Sequence, residues 1–433
     1  MASVMMDVYE EHLDEAAFLW ARWEHALVAP EYNIEETAEL EKRLLAHLDG
    51  LVLGGEPVAK ALLKPALESG EAPRHSAALW SLLAEPGLLE PTEVTELLQA
   101  APEDSLAALG RALELNEREE VGTALRPLLK NGSAPLQALT LEVLTFRGEL
   151  TPDMSMELLN HSDEQVVAAA LRGLRPLPRE MISRELPRLL ADGRTRVQEA
   201  AIETGLVSGS RAAWEACRKR VEGRGEVGLG TLLLLALGGE ERDIERLVAR
   251  ATSTGADGGA LFALGFSGQV LAMETCLELM GQQSLAALAG EAFSAMTGLD
   301  LTASYVVQQQ EEESLPPLEE DLARDLGPKP ENALPIPDRE AVTDWWSQAR
   351  KSFNRGGRYL RGAAFSIDGL LGELERGPMR RRHAHALELA VRSRGTCILP
   401  TRAFTEQQYA GLARARATQT QLKASLFSRT LGG

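Results

Sequence analysis

A repeat with a period of about 30 residues is the feature that most constrains what this chain can fold into. Six apolar positions recur in the same phase along the middle of the chain: Leu136, Val166, Val197, Val227, Ala256 and Leu285. The intervals between them are 29 to 31 residues, and the same period runs backward to Leu106, Ser76 and Ala46. A fixed period of this length is typical of solenoid proteins. We therefore predict an array of about nine units.

Each unit is predicted to be a pair of short helices. Leu136, Leu139 and Val143 are spaced by three and four residues, which places them on one face of a helix. A shorter apolar segment precedes that helix, and turn-forming residues such as those at 131–133 separate the two. Small residues are expected where neighbouring helices approach closely: Ala169, Ala170, Ala200, Ala201 and Gly230.

The length of the period also discriminates among the classes of solenoid. It is shorter than the 34 residues of tetratricopeptide repeats, and the Thr-Pro-Leu-His turn of ankyrin repeats is missing. The pattern resembles the short HEAT-like repeats common in bacteria, which implies a concave surface that binds a protein. The predicted fold class is all-α, a HEAT-like α-solenoid of about nine helical hairpins with a short C-terminal helical module.

Composition divides the chain into four predicted parts. Residues 1–45 form an N-terminal helical cap, 46–307 the solenoid, 308–340 an acidic, proline-rich linker, and 341–433 a basic helical module. The net charge is −19, made of +10 on the basic module and −29 on the rest. Opposite charges attract, so this module is expected to fold back on the solenoid or to come from a neighbouring copy. Capture of an acidic partner or of nucleic acid is the alternative.

The basic module also contains the candidate partner-binding residues. Aromatic side chains next to arginines are typical of interface hot spots, although the same aromatics suit the core of a small helical module. The candidates are Trp345, Trp346, Phe353, Arg355, Arg358, Tyr359, Arg361, Arg380, Arg381 and Arg382. Nucleic acid is a disfavoured partner, because the negative charge of the whole chain repels phosphate.

No catalytic, cofactor-binding or metal-binding set is predicted. His383 and His385 point about 200° apart on a helix and therefore cannot share one metal ion. The three cysteines are far apart in the sequence and form no CxxC pair, which favours a reducing compartment. No apolar run approaches the ~20 residues that a membrane-spanning helix needs. We expect a cytoplasmic, non-enzymatic protein that has no cofactor and does not enter a membrane.

Four ordered sequence strings resemble those of an uncharacterised proteobacterial family with HEAT-like repeats. They are HLDEAAFLWARW, LEKRLLAHLDGLVLGGE, GEAFSAMTGLDL, and WW followed by GGRYLRG and RRRHAHALELA. Genes of this family often lie near type VI secretion genes. The resemblance implies a scaffold or adaptor for secretion cargo or spike components, and it assigns no catalytic residue. The alternatives are an immunity-type inhibitor of an effector, and a HEAT-like nucleic-acid-binding protein or enzyme that uses the basic module.

Overall fold

Helices account for most of the chain that the structure describes. The computed structural model describes residues 5–68, 71–223, 225–253, 257–307 and 330–431. The first ten α-helices are α1 Met6–Ala26, α2 Ile34–Leu53, α3 Gly55–Val58, α4 Lys64–Ala66, α5 Ala72–Ala84, α6 Pro91–Ala100, α7 Glu103–Leu115, α8 Glu119–Leu125, α9 Leu128–Asn131 and α10 Ala134–Phe146. A π-helical turn, Ala59–Leu63, joins α3 to α4.

The later repeats continue in the same manner. Their helices are α11 Pro152–Leu158, α12 Glu164–Gly173, α13 Arg179–Arg184, α14 Leu186–Leu190, α15 Thr195–Val207, α16 Arg211–Glu222, α17 Leu229–Gly238, α18 Glu241–Ala251, α19 Gly258–Leu264, α20 Val270–Leu279 and α21 Ala286–Thr297. The repeat position Ala256 and residues 308–329 of the predicted linker lie outside the described residues.

The C-terminal part contains five more helices and one small hairpin. Its elements are α22 Arg339–Ala349, β1 Tyr359–Leu360, β2 Ala363–Ala364, α23 Ile367–Arg376, α24 Met379–Arg392, α25 Thr405–Thr418 and α26 Phe427–Thr430. The two strands are antiparallel, with Tyr359 opposite Ala364. The predicted all-α fold class is confirmed. Among the described helices, none combines the length and apolar character needed to span a membrane.

Side-chain caps mark where several of these helices begin. Asn33 accepts hydrogen bonds from the main-chain N–H groups at 35 and 36, while the Glu36 carboxylate accepts from the Asn33 N–H at 2.9 Å. Asp163 and Asp338 cap α12 and α22 in a simpler way, each accepting from N–H groups of the first turn. Such caps satisfy donors that the helix itself leaves without partners. These capping residues therefore set where α2, α12 and α22 begin.

Alternate helices form two rows. The row that we call the inner row consists of helices that each pack on the next: α1, α5, α7, α10, α12, α15, α17, α19 and α21. The intervening helices form an outer row, in which α16 contacts α14 and α18, and α18 contacts α20. The solenoid-like arrangement of the prediction is confirmed, and its assignment to the HEAT type stays a prediction. Residue 45, the predicted end of the cap, lies inside α2.

The small residues are where the repeat pattern predicts them, with one exception. Ala169, Ala170, Ala200 and Ala201 are each at most 2% exposed in the packing between inner-row helices. Gly230 is exposed instead, and a Cβ added there would meet open space. The prediction for Gly230 is wrong, because this second residue of α17 faces solvent, whereas Thr231 and Leu232 of the same turn are buried.

The basic module folds back on the inner row. Helix α24 contacts α15 and α17, and the main-chain N–H of Met379 donates to Tyr32 O, in the loop after α1, at 2.8 Å. On the other side, the Arg381 guanidinium donates to Gly265 O, just after α19, at 2.7 Å. Residues near both ends of the inner row therefore contact α24. The row curves around this helix, and α24 covers part of the inner face of the row.

Two glycines permit this close packing. A Cβ on Gly238, at the end of α17, would lie 2.0 Å from the ring of Phe427. Gly268 has a φ of +63°, and its carbonyl accepts a hydrogen bond from the Tyr359 N–H at 2.8 Å. Any larger residue would clash at the first position and strain the backbone at the second. The basic module therefore needs both glycines to pack against the later repeats.

The hydrophobic interior is divided into two clusters, and the basic module contributes to both. Val391 and Phe427 belong to the cluster of the later repeats. Leu370 and Leu389 belong to the cluster built on α1, α2 and the early repeats. The module therefore bridges the two halves of the solenoid.

Candidate partner-binding cleft

The aromatic candidates of the basic module lie against the last inner-row helix. Trp346, Phe353 and Tyr359 are each less than one tenth exposed. Ring centroids are 5.5 Å apart for Phe293 and Trp346, 5.2 Å for Trp346 and Phe353, and 4.8 Å for Phe353 and Tyr359. Trp345 is half-buried beside them, 6.1 Å from Phe293. These rings form a core that attaches α22 to α21.

The first three candidate arginines differ in their exposure. Arg358 donates to both oxygens of Glu388, at 2.5 and 2.9 Å. The Arg361 Nε lies 3.3 Å from a carboxylate oxygen of Glu373. Arg355 is the most exposed, with 82% of its side chain accessible, and its acidic neighbour on α18 is 3.5 Å away. Of these three arginines, Arg355 is therefore the one whose side chain is largely available to an external molecule.

The three consecutive arginines at the start of α24 contact three different parts of the chain. Arg380 pairs with Glu291 of α21 at 3.2 Å. Arg381 reaches the carbonyl at the end of α19, as described above, and its guanidinium lies 3.8 Å from the centroid of the Phe266 ring. Arg382 donates to a carbonyl in the last turn of α23 at 2.8 Å. All three are engaged inside the molecule, and binding of a partner by them stays a prediction.

Glu388 is the centre of a buried ion-pair set on α24. Its side chain is fully buried and accepts hydrogen bonds from Arg358 and from the Arg392 Nε, the latter at 2.8 Å. Burial alone would raise the pKa of Glu388, but the charges and hydrogen bonds of the two arginines outweigh it and lower the pKa to about 2. The carboxylate therefore stays charged across the physiological range.

The two histidines of α24 are also structural. The His383 Nε2 lies 3.0 Å from Leu27 O, and its Nδ1 lies 2.6 Å from the Thr401 hydroxyl. His385 packs on Phe266 with ring centroids 5.2 Å apart. Burial lowers the pKa of His383 to about 4 and that of His385 to about 3, with nearby arginines adding to the effect. Both rings are therefore neutral near pH 7.

A buried carboxylate ties α25 to the N-terminal helices. Glu41 of α2 is 5% exposed and accepts hydrogen bonds from the Thr405 N–H at 2.9 Å and from the Thr405 hydroxyl at 2.8 Å. The Trp23 indole N–H also donates to it, at 3.2 Å. Burial raises the pKa of Glu41, and the hydrogen bonds oppose that effect. The start of α25 is thus held at a defined position beside α2.

Two adjoining cavities lie between the inner row and the residues 398–414 of the basic module. Cavity A has a volume of about 710 Å³ and extends from α8 to α25. Cavity B has a volume of about 570 Å³ and extends from α12 to the loop before α25. The walls that both cavities share come from Glu114, Phe146, Pro400 and Arg414. We call the two cavities together the inner cleft.

Cavity B is lined by more positive than negative groups. Its charged lining consists of Arg172, Arg175, Arg402, Arg414, Glu114 and Glu142. Arg414 is exposed and forms no ion pair with any residue in the described ranges. Ile398 adds an apolar surface that is 44% exposed. Arg172, Arg175 and Arg402 pair with Glu142, Glu203 and Glu24. This cavity therefore combines one unpaired guanidinium, that of Arg414, with an accessible apolar side chain, in a protein whose net charge is −19.

Cavity A carries the opposite balance and has a firmly held wall. Its charged lining consists of Glu114, Glu117, Glu119, Glu149, Arg126, Arg147 and Arg414. Arg147 is almost fully buried and donates to Leu113 O at 3.1 Å, to Arg118 O at 2.8 Å and to Glu149 at 2.8 Å. Burial raises the pKa of Glu114. These bonds cross-link successive inner-row turns, which preorganises the wall.

The repeat pattern does not identify the cleft residues. Arg172 belongs to α12, whereas Arg414 and Pro400 come from the other end of the chain, and no spacing in the sequence connects them. Arg414 differs from the ten candidates in carrying no aromatic neighbour and no adjacent arginine cluster. Only the fold-back of the module reveals that it faces the early repeats.

Comparisons with known proteins add no assignment. No protein-family model matches the chain, and no curated protein sequence matches it. One solved structure, described as the crystal structure of an engineered protein, is similar at 15% identity with a TM-score of 0.29, over 93% of this chain and 99% of that one. A similarity this low carries no argument about function, and the resemblance to the proteobacterial family stays a prediction.

Proposed function

We propose that this protein is a non-enzymatic adaptor that binds a segment of a protein partner in the inner cleft. The observation that carries the proposal is the cleft itself, formed where the basic module crosses the early repeats without filling them. Arginine and aromatic side chains, which are enriched in protein interfaces, are present in its walls as Arg414 and Phe146. The repeat pattern predicts binding on an open concave face. Because α24 covers part of that face, the proposed binding site is the inner cleft.

The largest pKa shifts on α24 lie outside the cleft, whereas Glu114, whose pKa is raised by burial, lines both cavities. Strongly perturbed titratable groups cluster at enzyme active sites. Here the strong shifts of Glu388, His383 and His385 arise in the buried packing of α24, and none of these three residues lines the cleft.

The alternatives differ in what supports them. Trp345, Trp346 and most of the arginines proposed for nucleic acid are engaged in internal contacts, so no observation favours that reading. An adaptor for secretion cargo and an inhibitor of an effector both bind a protein and would use the same cleft. Co-expression with a toxic effector distinguishes these two, since only an inhibitor rescues growth. The secretion setting itself rests on the family resemblance alone.

Filling the cleft tests the proposal. Ala410 lines cavity A and is exposed, so Ala410→Trp is expected to occupy the cavity without disturbing the core. Ala249→Trp places the same side chain at an exposed position on outer-row helix α18 and serves as the matched control. Affinity purification from native expression should recover a stoichiometric protein partner with the wild type and the control, and lose it with Ala410→Trp. Retention by Ala410→Trp, or no partner at all, would contradict the proposal.

A further inference from the structure

We infer that cavity B is a recognition site for an extended, acidic peptide segment that also carries an apolar side chain. This inference rests on the proposed function and specifies its ligand. Neither the repeat pattern nor the family resemblance points to this site. In this site, Arg172, Arg402 and Arg414 would bind the carboxylates of the ligand. The exposed surface of Ile398 would pack on its apolar side chain.

The charge balance of cavity B selects carboxylates. Arg414 has no ion-pair partner among the residues that the structure describes. Arg172 lies 3.7 Å from Glu142, and both side chains are about half exposed. Arg402 is 55% exposed and lies 3.3 Å from Glu24, which is 26% exposed. Such exposed pairs are weak. A guanidinium can exchange a weak partner for a bidentate carboxylate, so all three arginines can serve an acidic ligand.

The backbone beside the cavity selects an extended segment. Residues 397–400 are not helical, and within the described part of the chain the N–H groups of Ile398 and Leu399 have no hydrogen-bond partner. An extended peptide can supply main-chain carbonyls to such donors, as in recognition by strand addition. A helical ligand offers such free carbonyls only in its last turn, because the others are bonded internally.

A polyanion such as RNA fits the cleft less well. Cavity A, which adjoins cavity B, carries four glutamates against three arginines. Residues 1–340 have a net charge of −29, which repels a phosphate backbone over its length. A peptide can confine its carboxylates to cavity B, whereas a nucleic acid cannot confine its phosphates.

Fluorescence anisotropy with defined peptides tests the inference on the full chain. The probes are fluorescein-labelled GEELFEELEG, its glutamine counterpart GQQLFQQLQG, and GEESSEESEG, which lacks the apolar side chains. The first peptide should bind about tenfold more tightly than either of the others, which corresponds to about 1.4 kcal/mol. Equal affinities of the acidic and glutamine peptides, or no saturable binding of the first, would overturn the inference.

Charge reversal locates the binding. Arg414→Glu should weaken binding of the acidic peptide about tenfold. The matched control is Arg242→Glu on α18, because Arg242 is likewise exposed and has no ion pair with any described residue. It should change the affinity by less than about twofold. An equal effect of both variants, or tighter binding of a labelled RNA decamer than of the peptide, would contradict the assignment. Unfolding curves check that both variants fold.

The two proposals fail separately. If Ala410→Trp abolishes capture of a partner while the acidic peptide shows no preference, the adaptor stands and the acidic ligand is wrong. If the peptide binds as expected but native purification yields no partner, the cleft binds peptides and the adaptor function is wrong.

Discussion

At the scale of residues, the notable feature is that several ionisable groups are buried on one helix, α24. Glu388 has two arginine partners, and His383 and His385 are held neutral by burial. A buried charge without its partner is strongly destabilising. The arginines of the sequence RRRHAHALELA pair with carboxylates or donate hydrogen bonds to main-chain carbonyls inside the protein.

These histidines predict how stability depends on pH. Their folded-state pKa values, about 4 and about 3, are lower than the ordinary value of 6.5. The stability they contribute is therefore complete above pH 6.5 and is lost as the pH falls toward the folded-state values. Below about pH 6 each histidine should lower the free energy of unfolding by about 1.4 kcal/mol per pH unit. Urea denaturation at pH 7, 6 and 5 measures this slope.

A substitution separates the contribution of His385 to the pH dependence of stability from that of His383. His385→Leu should reduce the slope between pH 6 and pH 5 by the contribution of His385, about 1.4 kcal/mol per pH unit, because the new side chain binds no proton. An unchanged slope would show that His385 does not carry the effect. Glu388, with a pKa lowered to about 2, should add a further loss of stability only below about pH 4.5.

At the scale of elements, the short helix α26 is held by one buried ring and by polar contacts, among them the Ser428 hydroxyl donating to Glu240 at 2.8 Å. Helix α26 is four residues long and attaches through Phe427, which is fully buried and lies 5.8 Å from the Trp214 ring by centroid distance. The absence of a side chain at Gly238 makes room for this ring. Because the Phe427 ring lies directly against Gly238, substitutions at these two positions are expected to be energetically coupled.

A double-mutant cycle measures that coupling. Gly238→Ala should cost about 1–3 kcal/mol through overpacking, and Phe427→Ala about 3–5 kcal/mol through loss of its packing. The double variant should lose less than the sum, because the new methyl group no longer meets a ring. Gly193→Ala is the control, since a Cβ there meets nothing within 4 Å. Additive effects of Gly238→Ala and Phe427→Ala would contradict the described contact between Phe427 and Gly238.

At the scale of the whole molecule, the basic module is part of both hydrophobic clusters and not an appended arm. It crosses the inner row, covers part of it with α24, and leaves the inner cleft beside α25. Residues 1–340 and the basic module carry opposite net charges, which attract each other. This attraction acts only over the short range that salt leaves unscreened. Specific buried contacts, such as those of Glu41 and Glu388, then determine where each helix lies.

Much of the fold follows from the sequence because repeats interact mainly with their neighbours. The anchors Leu136, Val166 and Val197 predicted α10, α12 and α15 of the inner row. The cleft could not be predicted, because it joins distant parts of the chain. Gln407 and Glu117, for example, lie 3.3 Å apart across 290 residues. No period records such a pairing, and the composition indicated only that the two charge blocks attract.

Site-specific photo-cross-linking tests the central claim that a partner binds in the inner cleft. A photoreactive phenylalanine analogue at Ala410 lies in cavity A, and the same group at Ala249 lies on the outer row. Irradiation of cells expressing the full chain should yield an adduct with one partner protein at Ala410 and none at Ala249. An adduct at Ala249 alone, or no adduct at either position, would contradict the account.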